Sequence, residues 1–303
     1  FNLGGAGTTF NNYGTLRKSG PGLSIMDFVF NNHNALVEVQ AGTLEVRHGG
    51  RLRDGTYTVA DDAFFDLAST TLYTMTGILE GSGAGQMRGV GATLTTSGTA
   101  TLNFPNGGFG LTAGGFGGSG EFTLQGNFFL SGTAHKIING VTINNEALFQ
   151  LAGTGAILGG REAVFNNLSG ATFEIASDAS YLGIDQGGID TTFNNFGTLR
   201  KSGAGESVVD LTFNNQGALV EVQAGTLELL RGGSLVGGAY TVANAQAKPV
   251  THVTTTAQCD TCHSSTTTWA TATFNHATAS PPAAGRCSAC HNGTSALGKP
   301  TNH

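Results

Sequence analysis

Two pentads near the carboxyl end, CDTCH at Cys259–His263 and CSACH at Cys287–His291, contain all four cysteines of the 303-residue chain. Each places two thiols three residues apart and follows them directly with an imidazole. That order suits covalent haem attachment: the thiols add across the two vinyl groups, and the adjacent histidine is aimed at the iron. On this reading Cys259, Cys262, Cys287 and Cys290 carry the thioethers of two haem c groups, and His263 and His291 are the proximal ligands. The rival uses leave residues idle. A zinc site built from the C-x-x-C pairs has no role for either histidine, and the 24 residues between Cys262 and Cys287 exceed the usual ribbon spacing. Two disulfides strand the histidines in the same way, and a thioredoxin-like redox site lacks βαβ surroundings.

The sixth ligand is sought next. Met26, Met75 and Met87 are far from the pentads in sequence, which disfavours His/Met ligation and the high potential it confers. His252, His276 and His303 lie close by, three candidates for two irons. AKPVTH, ending at His252, echoes GKPTNH, ending at His303, and His276 closes WATATFNH. The string CDTCH, Trp269, FNH, CSACHNG and GKPTNH resembles the repeated segment of multihaem c-type cytochromes, in which C-x-x-C-H alternates with F-x-H and K-P-x-x-H. The resemblance covers about residues 247–303. It implies bis-histidine, low-potential haems, with the distal role falling first on His276 and His303 and then on His252. Trp269 and Phe274 would pack on a porphyrin face or in an ordinary core. Lys248 and Lys299 would pair with propionates or stand in solvent. Only two pentads are present, so a long haem chain cannot form inside one subunit. The remaining histidines point elsewhere. His33 and His48 are replaced by Gln216 and Arg231 in an internal duplicate and are expected at the surface, and His135 is expected to be structural.

The elements that carry this segment are read from repetition. FNNYGTLRKSG at Phe10 returns as FNNFGTLRKSG at Phe193, and the match runs without a gap from Phe10–Ala60 to Phe193–Ala243, about two-thirds identical. Inside it lies a shorter unit: Phe-Asn-Asn begins at Phe10, Phe30, Phe165, Phe193 and Phe213, and Ile-Asn-Asn at Ile143. Spacings near 20 to 22 residues suit one coil of a β-solenoid. Period-two alternation, as in GTLEV, predicts strands with Leu44 and Val46 on one side and Thr43 and Glu45 on the other. Asparagine stacked on asparagine would form an amide ladder, and phenylalanine stacked on phenylalanine would fill the core. The glycine-rich stretch from Gly81 to Ser131 is expected to form further coils with loose corners. The pattern over about residues 4–245 resembles the β-helix passengers of autotransporters and filamentous haemagglutinin-like adhesins, which implies a right-handed β-helix and secretion.

The expected architecture is therefore all-β: a right-handed β-solenoid over 1–246 with its duplication at 10–60 and 193–243, and a small, mostly irregular dihaem c-type cytochrome domain over 247–303. Composition agrees. With 48 glycines, only 11% charged residues and a net charge of −6, the chain lacks the clustered basic residues that nucleic acid demands. No apolar run reaches the ~18 residues of a membrane-spanning helix. Phe1 opens the chain without methionine or a leader pattern, which suits a mature, processed protein and equally a fragment of a longer one. Asn167-Leu-Ser and Asn292-Gly-Thr match the N-glycosylation sequon, a pattern common by chance. No clustered Asp/Arg/Lys set suggests a polysaccharide lyase, and Glu38, Glu45, Glu221 and Glu228 are expected to face solvent.

The cytochrome resemblance implies haem attachment outside the cytoplasmic membrane, so the chain is expected in the periplasm or, given the adhesin-like repeats, outside the cell. The function expected is electron transfer by an extracellular dihaem cytochrome, not an enzyme, with redox-partner cytochromes or extracellular acceptors as partners. A dihaem enzyme with one open iron, and a structural or adhesive stalk with a zinc or redox-sensing domain, are the alternatives. A repeat unit running to the solenoid edge without a polar cap invites stacking, so copies of the chain are expected to join in a filament, which resembles extracellular cytochrome nanowires in logic only, since those generally carry more haems per subunit.

Overall fold

In Leu36–Val39, Thr43–Val46 and Thr142–Asn145 every second side chain is buried. Strands that bury alternate residues need a partner on each edge, and here each is supplied by the preceding and following turns of one spiral. The computed structural model describes residues 7–68, 71–106, 108–184 and 191–243. They form thirty strands and no helix. All pairings are parallel, and they link the chain into a right-handed β-solenoid of about eleven turns. The expected domain boundary after Gln246 lies outside the described residues.

Three ladders run the length of the spiral, one per face. On the first face Thr9–Asn12 pairs with Val29–His33, which pairs with Gly50–Arg53. On the second Thr15–Lys18 pairs with Leu36–Val39 and then Thr56–Val59. On the third Leu23–Met26 pairs with Thr43–Val46 and then Phe64–Leu67. Inward side chains form one continuous apolar core, including Phe30, Val37, Leu52, Phe65, Met75 and Met87.

The glycine-rich middle departs from the expectation of loose corners. It holds two of the three longest strands, Gln86–Thr96 and Phe109–Gly118, and the third, Leu72–Ser82, runs into its start. Each serves two faces, because a single glycine at positive φ turns the corner: Gly77 at 75°, Gly91 at 85° and Gly114 at 91°. Left-handed backbone of this kind is open to glycine at little cost. Other glycines make room. A Cβ on Gly81 would stand 1.9 Å from the Phe104 ring, and one on Gly115 would stand 1.9 Å from the Ile137 carbonyl. The stretch is glycine-rich because rings and backbone approach closely there.

Both predicted ladders form, with a twist in their placement. Asn12 donates to Asn32 Oδ1 at 2.7 Å on the first face. Asn145, Asn167, Asn195 and Asn215 form a longer chain at 2.8, 2.8 and 2.7 Å on the second face. All are buried, and each amide also reaches a backbone carbonyl, so the polar groups are satisfied inside the core. Asn167 is fully buried, so its sequon is not a surface site. The best-stacked aromatic column is not made by the Phe-Asn-Asn unit. Phe109, Phe128, Phe149 and Phe173 follow one another on the third face, with centroids 5.4, 5.4 and 5.2 Å apart and rings within 16° of parallel. Phe165, Phe193 and Phe213 instead meet edge to face. Both geometries suit the ring quadrupole.

Candidate functional site

The haem-binding residues expected from the sequence, Cys259, Cys262, His263, Cys287, Cys290 and His291, lie outside the described residues. So do His252, His276, His303, Trp269, Phe274, Lys248 and Lys299. The solenoid shows where the other candidate ligands are used. Met75 and Met87 are completely buried in the core, and Met26 packs against it. His33 stacks on Tyr13 with centroids 4.9 Å apart. His48 is exposed and meets Asp27 at 2.9 Å. The exposed ring of His135 accepts a hydrogen bond from the Ala156 backbone at 3.0 Å, a structural contact between adjacent coils. Among the described residues no group of three or more His, Cys, Asp or Glu is placed to hold a metal ion.

Two of the carboxylates expected to face solvent, Glu38 and Glu221, are held by ion pairs between coils. Glu38 meets Arg17 at 2.6 Å and Glu221 meets Arg200 at 2.8 Å. Hydrogen bonds from these guanidiniums, and then from Gln40 and Gln223, hold both carboxyls below the usual range. Such groups stay ionised and serve poorly as proton donors.

A cleft of about 730 Å³ opens on the first face among His33, Arg51, Arg53, Thr74, Thr76 and Thr99. Asp54, also on its wall, accepts a hydrogen bond from the Ile78 backbone at 3.0 Å. Arg51, Arg53 and several hydroxyls line the cleft, and Arg53 lies 3.9 Å from the Asp54 carboxylate on the same wall. In the duplicate, His33, Arg51, Arg53 and Asp54 are replaced by Gln216, Ser234, Val236 and Gly237. The cleft's charge therefore belongs to the first copy alone, while the buried ladder residues recur in both.

Three lysines point into the solenoid, a feature the sequence reading did not extract. Lys18, Lys136 and Lys201 are 8%, 1% and 0% exposed. Lys18 donates to the Gly20 and Ala41 carbonyls, and Lys201 donates to the Gly203 carbonyl and lies 3.5 Å from Asp178. Lys136 donates to the Ser131 carbonyl. Desolvation pushes its pKa below the ordinary lysine value. The signal was present for two of the three: in TLRK the leucine and lysine share one side of the alternation, so an inward leucine takes its lysine inward too.

Fold and ladders together define a β-solenoid protein of the parallel, three-faced kind. No protein-family model, no curated protein and no solved structure matches the chain.

Proposed function

We propose that the chain is an extracellular dihaem c-type cytochrome that transfers electrons, with the β-solenoid as its structural scaffold. The observation that carries this reading is the pair of C-x-x-C-H pentads set among Phe274-Asn-His276 and Lys299-Pro-Thr-Asn-His303. The donor set fits haem c: two thiols for thioethers, one neighbouring imidazole, and a second imidazole available for each iron. When bound, haem supplies a one-electron couple. The four cysteines would tether the two groups, His263 and His291 would each hold an iron, and two of His276, His303 and His252 would supply the second imidazole. With two imidazoles each, the irons would have no position left for substrate, which favours electron transfer over a dihaem enzyme. Trp269 and Phe274 would exclude water from the porphyrin faces. Copies of the chain assemble in a filament, and its redox partners are other cytochromes or extracellular acceptors.

The test is direct. Protein matured with the cytochrome c assembly machinery should be red, with a mass raised by two haem groups. Replacing Cys259 and Cys262 by alanine should remove one haem, and carbon monoxide should leave the reduced spectrum unchanged. A colourless product with the mass of the bare polypeptide ends the proposal. A coloured one that binds carbon monoxide shifts the reading to the enzyme with an open iron.

A further inference from the structure

The charged cleft on the first face stands on interior coils, and its walls are set by register. Arg51 is paired with Thr74 and Arg53 with Thr76, while His33 is paired with Arg53 from the coil before. Leu52 and Met75, between them in sequence, are buried in the core, so alternation turns both arginines and both threonines outward together. The cleft's volume of about 730 Å³ falls within the roughly 300–1,000 Å³ of small-ligand sites. Two features set it apart from an ordinary solvated surface. Arg51 is exposed and pairs with no carboxylate among the described residues, while Asn31 Oδ1 accepts from its backbone N–H at 2.9 Å and fixes the strand. Asp54 holds a φ of 53°, where the second copy has Gly237 at 67°. The first copy thus bears the cost of a side chain on left-handed backbone and gains a carboxylate there. That carboxylate reaches over Gly77, where a Cβ would stand 1.9 Å from Asp54 Oδ1, and the Ile78 N–H holds it at 3.0 Å.

The chemistry of the walls selects the ligand. Arg51 supplies a guanidinium without a counter-charge, Arg53 and Asp54 face each other loosely at 3.9 Å, and Thr74, Thr76 and Thr99 supply hydroxyls. A bare polyanion would meet the Asp54 carboxylate and, around it, a chain of net charge −6. A neutral glycan would leave Arg51 unmatched. A sugar polymer with one carboxylate on each ring uses every group. Its carboxylate accepts charge-assisted hydrogen bonds from Arg51, one of its hydroxyls donates to Asp54 Oδ2, and others exchange hydrogen bonds with the threonines. We infer that this cleft binds a short stretch of an acidic polysaccharide of the uronic-acid class, laid along the solenoid axis. From the coil of His33 through Arg53 and Thr76 to Ser97 the cleft crosses three steps of ~4.8 Å, roughly 14 Å. The second copy, with Gln216, Ser234, Val236 and Gly237 at the matched positions, has none of this charge. The inference goes beyond the proposed function and does not rest on haem.

Titration calorimetry of the full chain with hexamers of galacturonate and of mannuronate tests it. The methyl-esterified galacturonate hexamer and inorganic polyphosphate of equal charge are the controls. Saturable binding of at least one uronate hexamer is expected, with both controls at least about tenfold weaker. Arg51→Ser and Arg53→Val place in the first copy the residues that the second copy carries. Arg51→Ser should weaken binding about tenfold, the loss of one charge-assisted contact, and Arg51→Lys should restore most of it. Arg53→Val and Thr74→Val should weaken it about threefold each, because Arg53 already faces Asp54 and Thr74 offers a neutral hydrogen bond. Denaturant melts check that each variant is folded. The inference is overturned if neither uronate hexamer binds, if the methyl ester binds as tightly, or if folded Arg51→Ser binds as the wild type does. Polyphosphate binding as tightly as the uronates also overturns it and makes the cleft a polyanion patch. Absorbance of the same samples separates the two readings: red protein that ignores uronates sinks the cleft alone, and colourless protein that binds them sinks the haem alone.

Discussion

The stretches Phe10–Ala60 and Phe193–Ala243 share about two-thirds of their residues, yet they do not lie on the same faces of the spiral. Phe10 and Phe30 pair on the first face, whereas Phe193 and Phe213 pair on the second. The whole second copy is set one face further round. The change occurs before Ile143, whose strand already pairs with Phe165 on the second face. The comparison teaches that the repeat specifies a strand with two inward positions and a corner, not a particular face. Any face accepts it, because all three demand the same alternation. The long strands that turn at Gly77, Gly91 and Gly114 lie between the two copies, where no Phe-Asn-Asn unit marks the phase.

The sharpest way to break the comparison is at Gly50 and Gly233, matched positions at φ 143° and 141°. A Cβ on either would stand 1.8 Å from the carbonyl oxygen of Phe30 or Phe213. Gly50→Ala should cost about 3 kcal/mol, from strain and overpacking beneath further coils. Gly233→Ala should cost about half as much, because the last coil is free to shift. Denaturant melts of the two variants measure the difference, and equal losses would show that both coils are equally confined. Next come the ladders. Asn167→Ala removes a middle rung: the Asn145 amide loses its side-chain acceptor and Asn195 Oδ1 loses its side-chain donor, an expected loss of about 3 kcal/mol. Asn12→Ala ends a shorter ladder and should cost about 1 kcal/mol.

The buried lysines refine the comparison. Lys201 has a carboxylate nearby and Lys136 has a carbonyl only. Lys136→Met should stabilise by about 1 kcal/mol, since it removes a desolvated charge of similar shape. Lys201→Met should be neutral or destabilising. The sign with pH follows from the depressed value at Lys136. The folded state binds fewer protons there, so stability rises as pH climbs from the lowered value toward the ordinary one near 10.4. That rise should vanish in Lys136→Met thermal melts.

Tyr181 is fully buried and its hydroxyl has no partner, whereas the matched hydroxyls of Tyr57 and Tyr240 meet Asn32 and Asn215. Tyr181→Phe should therefore stabilise by about 1 kcal/mol, and Tyr57→Phe should destabilise by a similar amount. The smallest effect is expected at the two surface ion pairs. Glu38 and Glu221 have depressed values, so their contribution is present above the unfolded carboxylate range and is lost as pH falls through the folded value. Glu38→Gln and Glu221→Gln should remove equal, slight parts of the acid transition, because exposed pairs are screened.

Local chemistry was enough to predict the strands, their inward faces and the asparagine ladder. Alternation in TLEV leaves one side for the core, and Asn-Asn at a constant interval has one economical use for its amides. The haem attachment proposed for the pentads at Cys259–His263 and Cys287–His291 rests on residue types and spacing alone. What alternation could not convey is how many faces the chain passes between two copies of a unit, because every face reads alike. Only the assembled spiral put Phe193 one face beyond Phe10, converted the glycines of the middle stretch into corners and clearances, and buried Val59 while leaving Val242 bare. Burial and phase belong to the neighbouring coils, and a strand carries no record of which coil lies above it.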